Sequence, residues 1–156
     1  MARTTLSKRQ IKELIPSISS LISVSPKQKV EIVNAEKQTI LYVDDSPTLF
    51  QFEGRWFPLL KLILSGEIPV QYKRITVDMG AIKFVANGAD IMRPGITDIE
   101  DGFLSGDPVL IIDETHKKVL ALGIALFNSQ EMRALSSGKV IRNAHTVGDV
   151  LWEYTK

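Results

Sequence analysis

The sequence predicts an α+β fold in two parts, a small N-terminal α+β domain followed by a C-terminal β-barrel. Three observations carry this. One amphipathic helical pattern opens the chain, β-branched and aromatic runs follow it, and the second half consists of short strand-like runs broken by glycines. A chain of 156 residues has room for one ordinary domain or two small ones, because domains cluster at roughly 100 to 150 residues with a tail down to about 50.

Ser7-Lys-Arg-Gln10 has the form of a capping box, with Leu6 and Ile11 as its hydrophobic staple. Ile11, Leu14, Ile15, Ile18, Leu21 and Ile22 then follow the spacing of one buried helix face. Pro16 offers no N–H and its ring opposes the Lys12 carbonyl, so a kink or two short helices is expected. After Ser25-Pro26, the segments Lys29 to Asn34, Thr39 to Val43 and Thr48 to Phe52 predict a small antiparallel sheet. Glu53-Gly54-Arg55 turns the chain into Trp56-Phe57-Pro58. Leu59, Leu60, Leu62, Ile63 and Leu64 then suit a short buried helix ended by Gly66. Phe50, Phe52, Trp56 and Phe57 crowd together, and a core role outweighs an exposed docking cluster.

The connection Glu67-Ile-Pro-Val-Gln71 places the domain boundary at Lys73. Beyond it lie the strand-like runs Ile75 to Val85, Pro108 to Ile112, Val119 to Phe127 and Lys139 to Val147. Glycines at 88, 95, 102, 106, 123, 138 and 148 punctuate them, as in a small barrel. Alternation along the last strand puts Lys139, Asn143 and His145 on one face and Arg142 on the other, unless a bulge intervenes. Gly88 and Gly95 flank a short helix expected to begin near Ala89, where a missing Cβ lets backbone N–H groups approach a phosphate or ribose. The plainer alternative is that Gly88 and Gly95 only permit tight turns and Pro94 stops the helix. Phe84 and Phe127 are stacking platforms or core residues, and as strand residues among apolar neighbours the core role is favoured.

Composition narrows the function classes. Hydrophobic residues make up 44% and charged residues 24%, as in folded proteins, and no apolar run approaches the roughly 20 residues that span a bilayer. Met1-Ala-Arg-Thr-Thr leads to Lys8 and Arg9 with no apolar signal core, so a cytoplasmic protein without a membrane partner is expected. Cysteine is absent, which rules out disulfides and thiol catalysis. His116 and His145 alone give no zinc cluster, so no metal and no cofactor are expected. Residues 1–73 hold 10 Lys/Arg against 7 Asp/Glu and residues 74–156 hold 9 against 11, so any nucleic-acid site must be a local basic patch.

The run V-D-M-G-A-I-K-F-V from Val77, then G-A-D-I-M-R-P-G-I from Gly88, resembles the opening strand, turn and helix of the PUA domain, named for pseudouridine synthases and archaeosine transglycosylases. The resemblance continues through Gly106 to Asp113, Ala121 to Phe127 and Val140 to Trp152. With T-L-F-Q-F-E-G-R-W-F-P-L-L-K-L from Thr48, the sequence is similar to the malignant T-cell amplified sequence family of translation factors. The absence of cysteine and the many Ile and Lys suit an archaeal member.

That resemblance implies a pre-PUA α+β domain over 1–73 and a PUA RNA-binding domain over 74–156. It implies a noncatalytic, monomeric factor that binds transfer RNA, at its acceptor end, or ribosomal RNA, with the small ribosomal subunit or a translation factor as further partners. Eukaryotic members act with the density-regulated protein or are fused within ligatin. The PUA surface transfers here as a region, the first helix with its preceding loop and the strands at Gly123 to Phe127 and Val140 to Asn143. The candidate RNA-binding residues are Lys83, Asn87, Gly88, Ala89, Arg93, Gly95, Lys139, Arg142 and Asn143, with Lys83 and Arg93 expected as exposed cations beside the glycine turn. Two alternatives remain. One is an adaptor that docks a translation factor or the ribosome through the N-terminal sheet and the Trp56 region. The other is a small RNA-modifying enzyme or its accessory subunit with Asp78 or Asp90 as acid or nucleophile, against which stands the lack of a P-loop, a dinucleotide fingerprint or a Ser/His/Asp order.

Overall fold

The computed structural model describes residues 2–36 and 38–155, and the chain divides into two compact units, Met1–Val70 with Val150–Lys156, and Gln71–Asp149. The first unit is a five-stranded antiparallel sheet in sequential order: β1 (Thr4–Thr5), β2 (Val30–Ala35), β3 (Gln38–Val43), β4 (Ser46–Phe52) and β5 (Arg55–Pro58). Helix α1 (Lys8–Ile18) buries Ile11 and Ile18 against Val30, Leu41 and Leu49. Its capping box forms as expected: the Gln10 N–H donates to Ser7 Oγ at 3.1 Å and the Ser7 N–H to Gln10 Oε1 at 2.8 Å.

The split into two short helices, one of the two outcomes expected at Pro16, does not occur, and α1 runs through it as one helix. Pro16 sits in the last turn, so little helix lies beyond it, and the carbonyl that loses its helical donor belongs to Lys12, an exposed residue. The Ser19 N–H closes the end on Ile15 O at 2.9 Å. Phe50 and Phe57 are core residues with ring centroids 5.8 Å apart, whereas Phe52 and Trp56 are half-buried. Helix α2 (Leu60–Ser65) ends at Gly66, whose φ of +79° requires glycine.

The C-terminal segment corrects the expectation that residues 150–156 belong to the barrel, because the short helix over Val150–Glu153 and the residues after it group with the first unit. The reason is a long-range contact that no local pattern encodes: the Lys61 ammonium lies 4.8 Å above the Trp152 ring and donates to Thr155 O.

The second unit is a curled six-stranded sheet built from β6 (Lys73–Val77), β7 (Ile91–Met92), β8 (Ile96–Ile99), β9 (Pro108–Asp113), β10 (Val119–Ala125) and β11 (Lys139–Thr146), in the order β7-β11-β10-β9-β6-β8. All neighbours are antiparallel except β6 and β9. Ile75, Val77, Val109, Ile111, Ala121 and Ile141 form the centre of its core.

Two expectations for this unit are overturned. The run Ile75 to Val85 is not one strand, since β6 ends at Val77 and helix α3 (Met79–Ala86) follows. No helix begins near Ala89 either, where the chain instead forms β7 and a 3₁₀ turn over Arg93–Gly95. Asp78 decides both, because its carboxylate accepts from the Ala81 N–H at 2.9 Å and starts the helix ten positions before Gly88, which stops it. The glycine marks the end of the helix, not its beginning.

Strand β11 carries a bulge: Gly123 pairs with Asn143 while Leu122 pairs with His145, leaving Ala144 over. A Cβ on Gly123 would lie 2.5 Å from Ile141 Cγ2 and 3.1 Å from Arg142 O, so only glycine lets β10 and β11 approach here. Gly123→Ala is therefore expected to destabilise the chain by about 1–3 kcal/mol through overpacking. Urea denaturation tests this, and an unchanged midpoint would show that the two strands can part without cost.

Candidate nucleic-acid interface

The turn that follows α3 is built from its own backbone. The Gly88 N–H bonds Val85 O at 3.0 Å and the Ala89 N–H bonds Phe84 O at 3.0 Å, the paired bonds of a Schellman motif with Gly88 at φ +88°. The Asn87 N–H is likewise engaged with Lys83 O and Phe84 O. The expected role of these N–H groups toward a phosphate is thereby corrected. They cap a helix C-terminus and are not available to a ligand.

Asp90 joins this turn to β11. Its Oδ1 accepts the Asn143 backbone N–H at 2.8 Å, and its Oδ2 lies 3.0 Å from Lys139 Nζ. The Asn143 side chain reciprocates, donating from Nδ2 to Val85 O at 3.1 Å and to Ala89 O at 3.0 Å. Burial pushes the Asp90 carboxyl up, but the Asn143 N–H and the Lys139 ammonium outweigh it and hold the group below the usual carboxylate range. Both sequence candidates for an acid are thus engaged in the fold, Asp78 as a helix cap and Asp90 as this tie.

The expected row of Lys139, Asn143 and His145 becomes a pair. Lys139 and Asn143 meet at Asp90, but the bulge at Ala144 falls before His145, which is 1% exposed and bonded through Nδ1 to Asp149 at 2.9 Å. Arg142 is half-buried and its charge adds to the field that keeps Asp90 ionised. Lys83 and Asn87 are exposed on the last turn of α3, as a ligand-facing role requires.

Arg93 departs from its expected role as an exposed cation. It is half-buried, with Nε donating to Met132 O at 2.9 Å and Nη1 to Ile96 O at 3.3 Å. Gly95 serves packing: a Cβ there would lie 3.0 Å from Ala81 Cβ, and its carbonyl accepts the Asp78 N–H. Gly88, by contrast, faces open space.

Two concavities flank the turn. One, of about 320 Å³, is lined by Asn87, Gly88, Asn143, Thr146 and Asp149 and by the edge of His145. The other, of about 400 Å³, is mostly apolar and lined by Ala81, Phe84, Ala89, Ile91, Met92 and Gly95 together with the paired Asp90 and Lys139. Phe84, which a strand over this run would place in the core, is 63% exposed, and Met92 is 49% exposed. A helical reading of residues 79–86 is the signal that would have placed Phe84 at the surface.

Asn143→Ala removes the side-chain donor to Ala89 O and the second donor to Val85 O, which keeps its bond from the Gly88 N–H, and is expected to cost about 1–2 kcal/mol, seen as faster amide exchange at Gly88 and Ala89. Because the folded Asp90 pKa lies below its unfolded value, the contribution of this carboxylate is full above that unfolded value, about pH 4, and is lost as pH falls through the folded one. Exchange of the Asn143 amide should accelerate on acidification below about pH 4 in the parent protein, and much less in Asp90→Asn.

Comparison with known proteins places this geometry in a lineage. The PUA domain matches residues 73–147, and a domain of unknown function, DUF1947, matches residues 2–65. An uncharacterized protein of Methanocaldococcus jannaschii is 40% identical over 97% of this chain and 96% of its own length. Translation machinery-associated protein 20 of Saccharomyces cerevisiae is 32% identical over 97% of this chain and 87% of its own. Malignant T-cell-amplified sequence 1 of Danio rerio is 30% identical over 93% and 83%. The crystal structure of a hypothetical protein from Pyrococcus horikoshii OT3 superposes with a TM-score of 0.73 at 31% identity, covering 99% of this chain and all of that one. Similarity of this extent through both units shows that the chain belongs to the family of PUA-domain proteins that includes translation machinery-associated protein 20 and malignant T-cell-amplified sequence 1.

Proposed function

We propose that this protein is a noncatalytic, cytoplasmic RNA-binding factor of translation that holds transfer RNA or ribosomal RNA across the turn Asn87-Gly88-Ala89. The observation that carries the reading is the polar cleft beside that turn. Asn87 and Asn143 offer hydrogen-bonding groups there, and Gly88 presents no side chain to keep a ribose away. Lys83 stands exposed on the same helix as the cation for a phosphate, with Lys139 and Arg142 behind it on β11. Arg93 supports the surface from beneath through its bonds to Met132 and Ile96.

An adaptor role through the first unit is the second reading, favoured by Leu64 at 48% exposure and by the half-buried Trp56. Capture of a translation factor or ribosomal subunit that survives nuclease treatment would distinguish it from direct RNA binding.

The decisive experiment is filter binding of the full chain to total transfer RNA, intact or trimmed at its 3′ end, across a salt series. Intact RNA should bind better, and Lys83→Glu should weaken binding about tenfold at low salt and flatten the log-log salt dependence by roughly 0.7 per lost single-strand phosphate contact. Equal binding of both RNAs would remove acceptor-end recognition. No binding at low salt would favour the adaptor.

A further inference from the structure

We infer that the hairpin joining β9 and β10 is a second phosphate contact for the RNA, made by Lys117 and Lys118 at the opposite end of α3 from the Asn87-Gly88-Ala89 turn. The inference rests on the RNA-binding reading above and extends its footprint to a part of the second unit that the cleft does not include.

The hairpin separates its charges. The Asp113 N–H bonds Lys118 O and the Lys117 N–H bonds Asp113 O, both at 3.1 Å, and the buried Asp113 carboxylate accepts the His116 and Lys118 N–H groups. His116 Nδ1 lies 3.8 Å from the same carboxylate, so His116, when protonated, is paired within the turn. Glu114 accepts the Met79 N–H at 3.2 Å, and Asp78 caps the Ala81 N–H. The acids at this corner are thus engaged with backbone, Asp113 buried and Glu114 half-buried. Lys117 and Lys118 are exposed, and among the described residues neither ammonium has a hydrogen-bond or ion-pair partner, so the tip presents positive charge to solvent. Lys139, Arg93 and Arg133 differ, being held by Asp90 or by backbone carbonyls.

Lys117 also occupies a costly position. Its φ is +58°, in the left-handed region where glycine or asparagine is the usual residue. A lysine there gives up stability that asparagine would keep, and no hydrogen bond or ion pair of its side chain offsets the loss. A residue that breaks a local rule without a compensating contact marks a functional position.

Placement supplies the continuity. Glu114, and the Thr115 hydroxyl 2.9 Å from Met79 Sδ, fasten the hairpin to the first turn of α3. From Met79 the helix rises about 12 Å to Asn87, and the exposed Gly80, Lys83 and Asn87 share one face of it. A strand leaving the Gly88 turn can follow that face past Lys83 to the hairpin, meeting a cation at each stage.

The test is filter binding of the full chain to total transfer RNA across a salt series, with Lys117→Asn and Lys118→Gln combined. Asparagine tolerates the left-handed backbone, so the urea midpoint should not fall. The control combines Lys73→Gln and Arg74→Gln, which removes two exposed cations at the start of β6, whose other end, Val77, pairs with Asp113. The hairpin variant should bind about tenfold more weakly at low salt and lose roughly 1.4 from the log-log salt slope, two single-strand contacts of about 0.7 each. The control should keep the parent's slope, and Lys117→Arg with Lys118→Arg should match the parent. If the parent binds RNA and the hairpin variant keeps its affinity and slope, the hairpin touches no phosphate and an acidic protein partner becomes the better explanation, while RNA binding itself stands. Equal loss in the control would reduce the effect to net charge and overturn the assignment. If the parent binds no RNA at all, both readings fall together.

Discussion

The reciprocal tie between Asp90 and Asn143 fixes the shape of the candidate surface. The N–H groups of the turn after α3 satisfy the helix's own last carbonyls, but the turn still has to be fastened to the sheet, and side-chain hydrogen bonds do this. Here the Asn143 amide takes up Val85 O and Ala89 O, while Asp90, just after the turn, takes the Asn143 backbone N–H. Each residue satisfies the other's segment, so the turn and β11 hold one arrangement. Lys139 closes the tie by neutralising the carboxylate. The cleft and the groove inherit their walls from this arrangement, because every residue between Ala81 and Met92 that lines them is placed by it or by the Asp78 cap.

The same sheet must also come to an end without recruiting another chain. β8 is an edge strand, and an exposed edge offers a row of carbonyls to any passing strand. Arg93 and Arg133 lie across it, their guanidinium groups donating to Ile96 O and Ile99 O, and Arg133 is held in turn by Asp101. This explains why the R-P-G sequence between β7 and β8 carries an arginine that does not face solvent as a free cation. A side chain with five donors in a fixed fork is suited to capping carbonyls at a sheet edge.

Much of the fold was legible because its signals are local. The Ser7 and Gln10 capping box, the α1 stripe, the three inner strands of the first sheet and the Gly66 stop all rest on residues within a few positions of one another. What was not legible depends on partners far along the chain. Residues 79–86 are as apolar as a strand, and only the Asp78 cap and the positive φ at Gly88 mark them as a helix. Arg93 could not be told from a surface cation without Met132, which lies 39 positions away. The bulge at Ala144, set by the close approach at Gly123, moved His145 out of the row that alternation predicts. The region of the candidate site was found through family resemblance, but the division of labour among its residues required the tertiary contacts.

Electrostatics remain to be reconciled with RNA, since residues 74–156 carry 9 basic against 11 acidic side chains. The excess is smaller in effect than in number, because several carboxylates are committed to the fold. Asp113 accepts the His116 and Lys118 N–H groups in the β9–β10 turn, Asp90 holds Asn143 and Lys139, Asp101 holds Arg133, and Asp149 holds His145 and the Thr146 N–H. A carboxylate engaged in this way presents less negative field at the surface than one facing water. The cations on the candidate face are nonetheless few, so phosphate neutralisation alone would give only modest affinity. RNA binding as proposed above would therefore draw more on shape and hydrogen bonds to ribose than on counterion release.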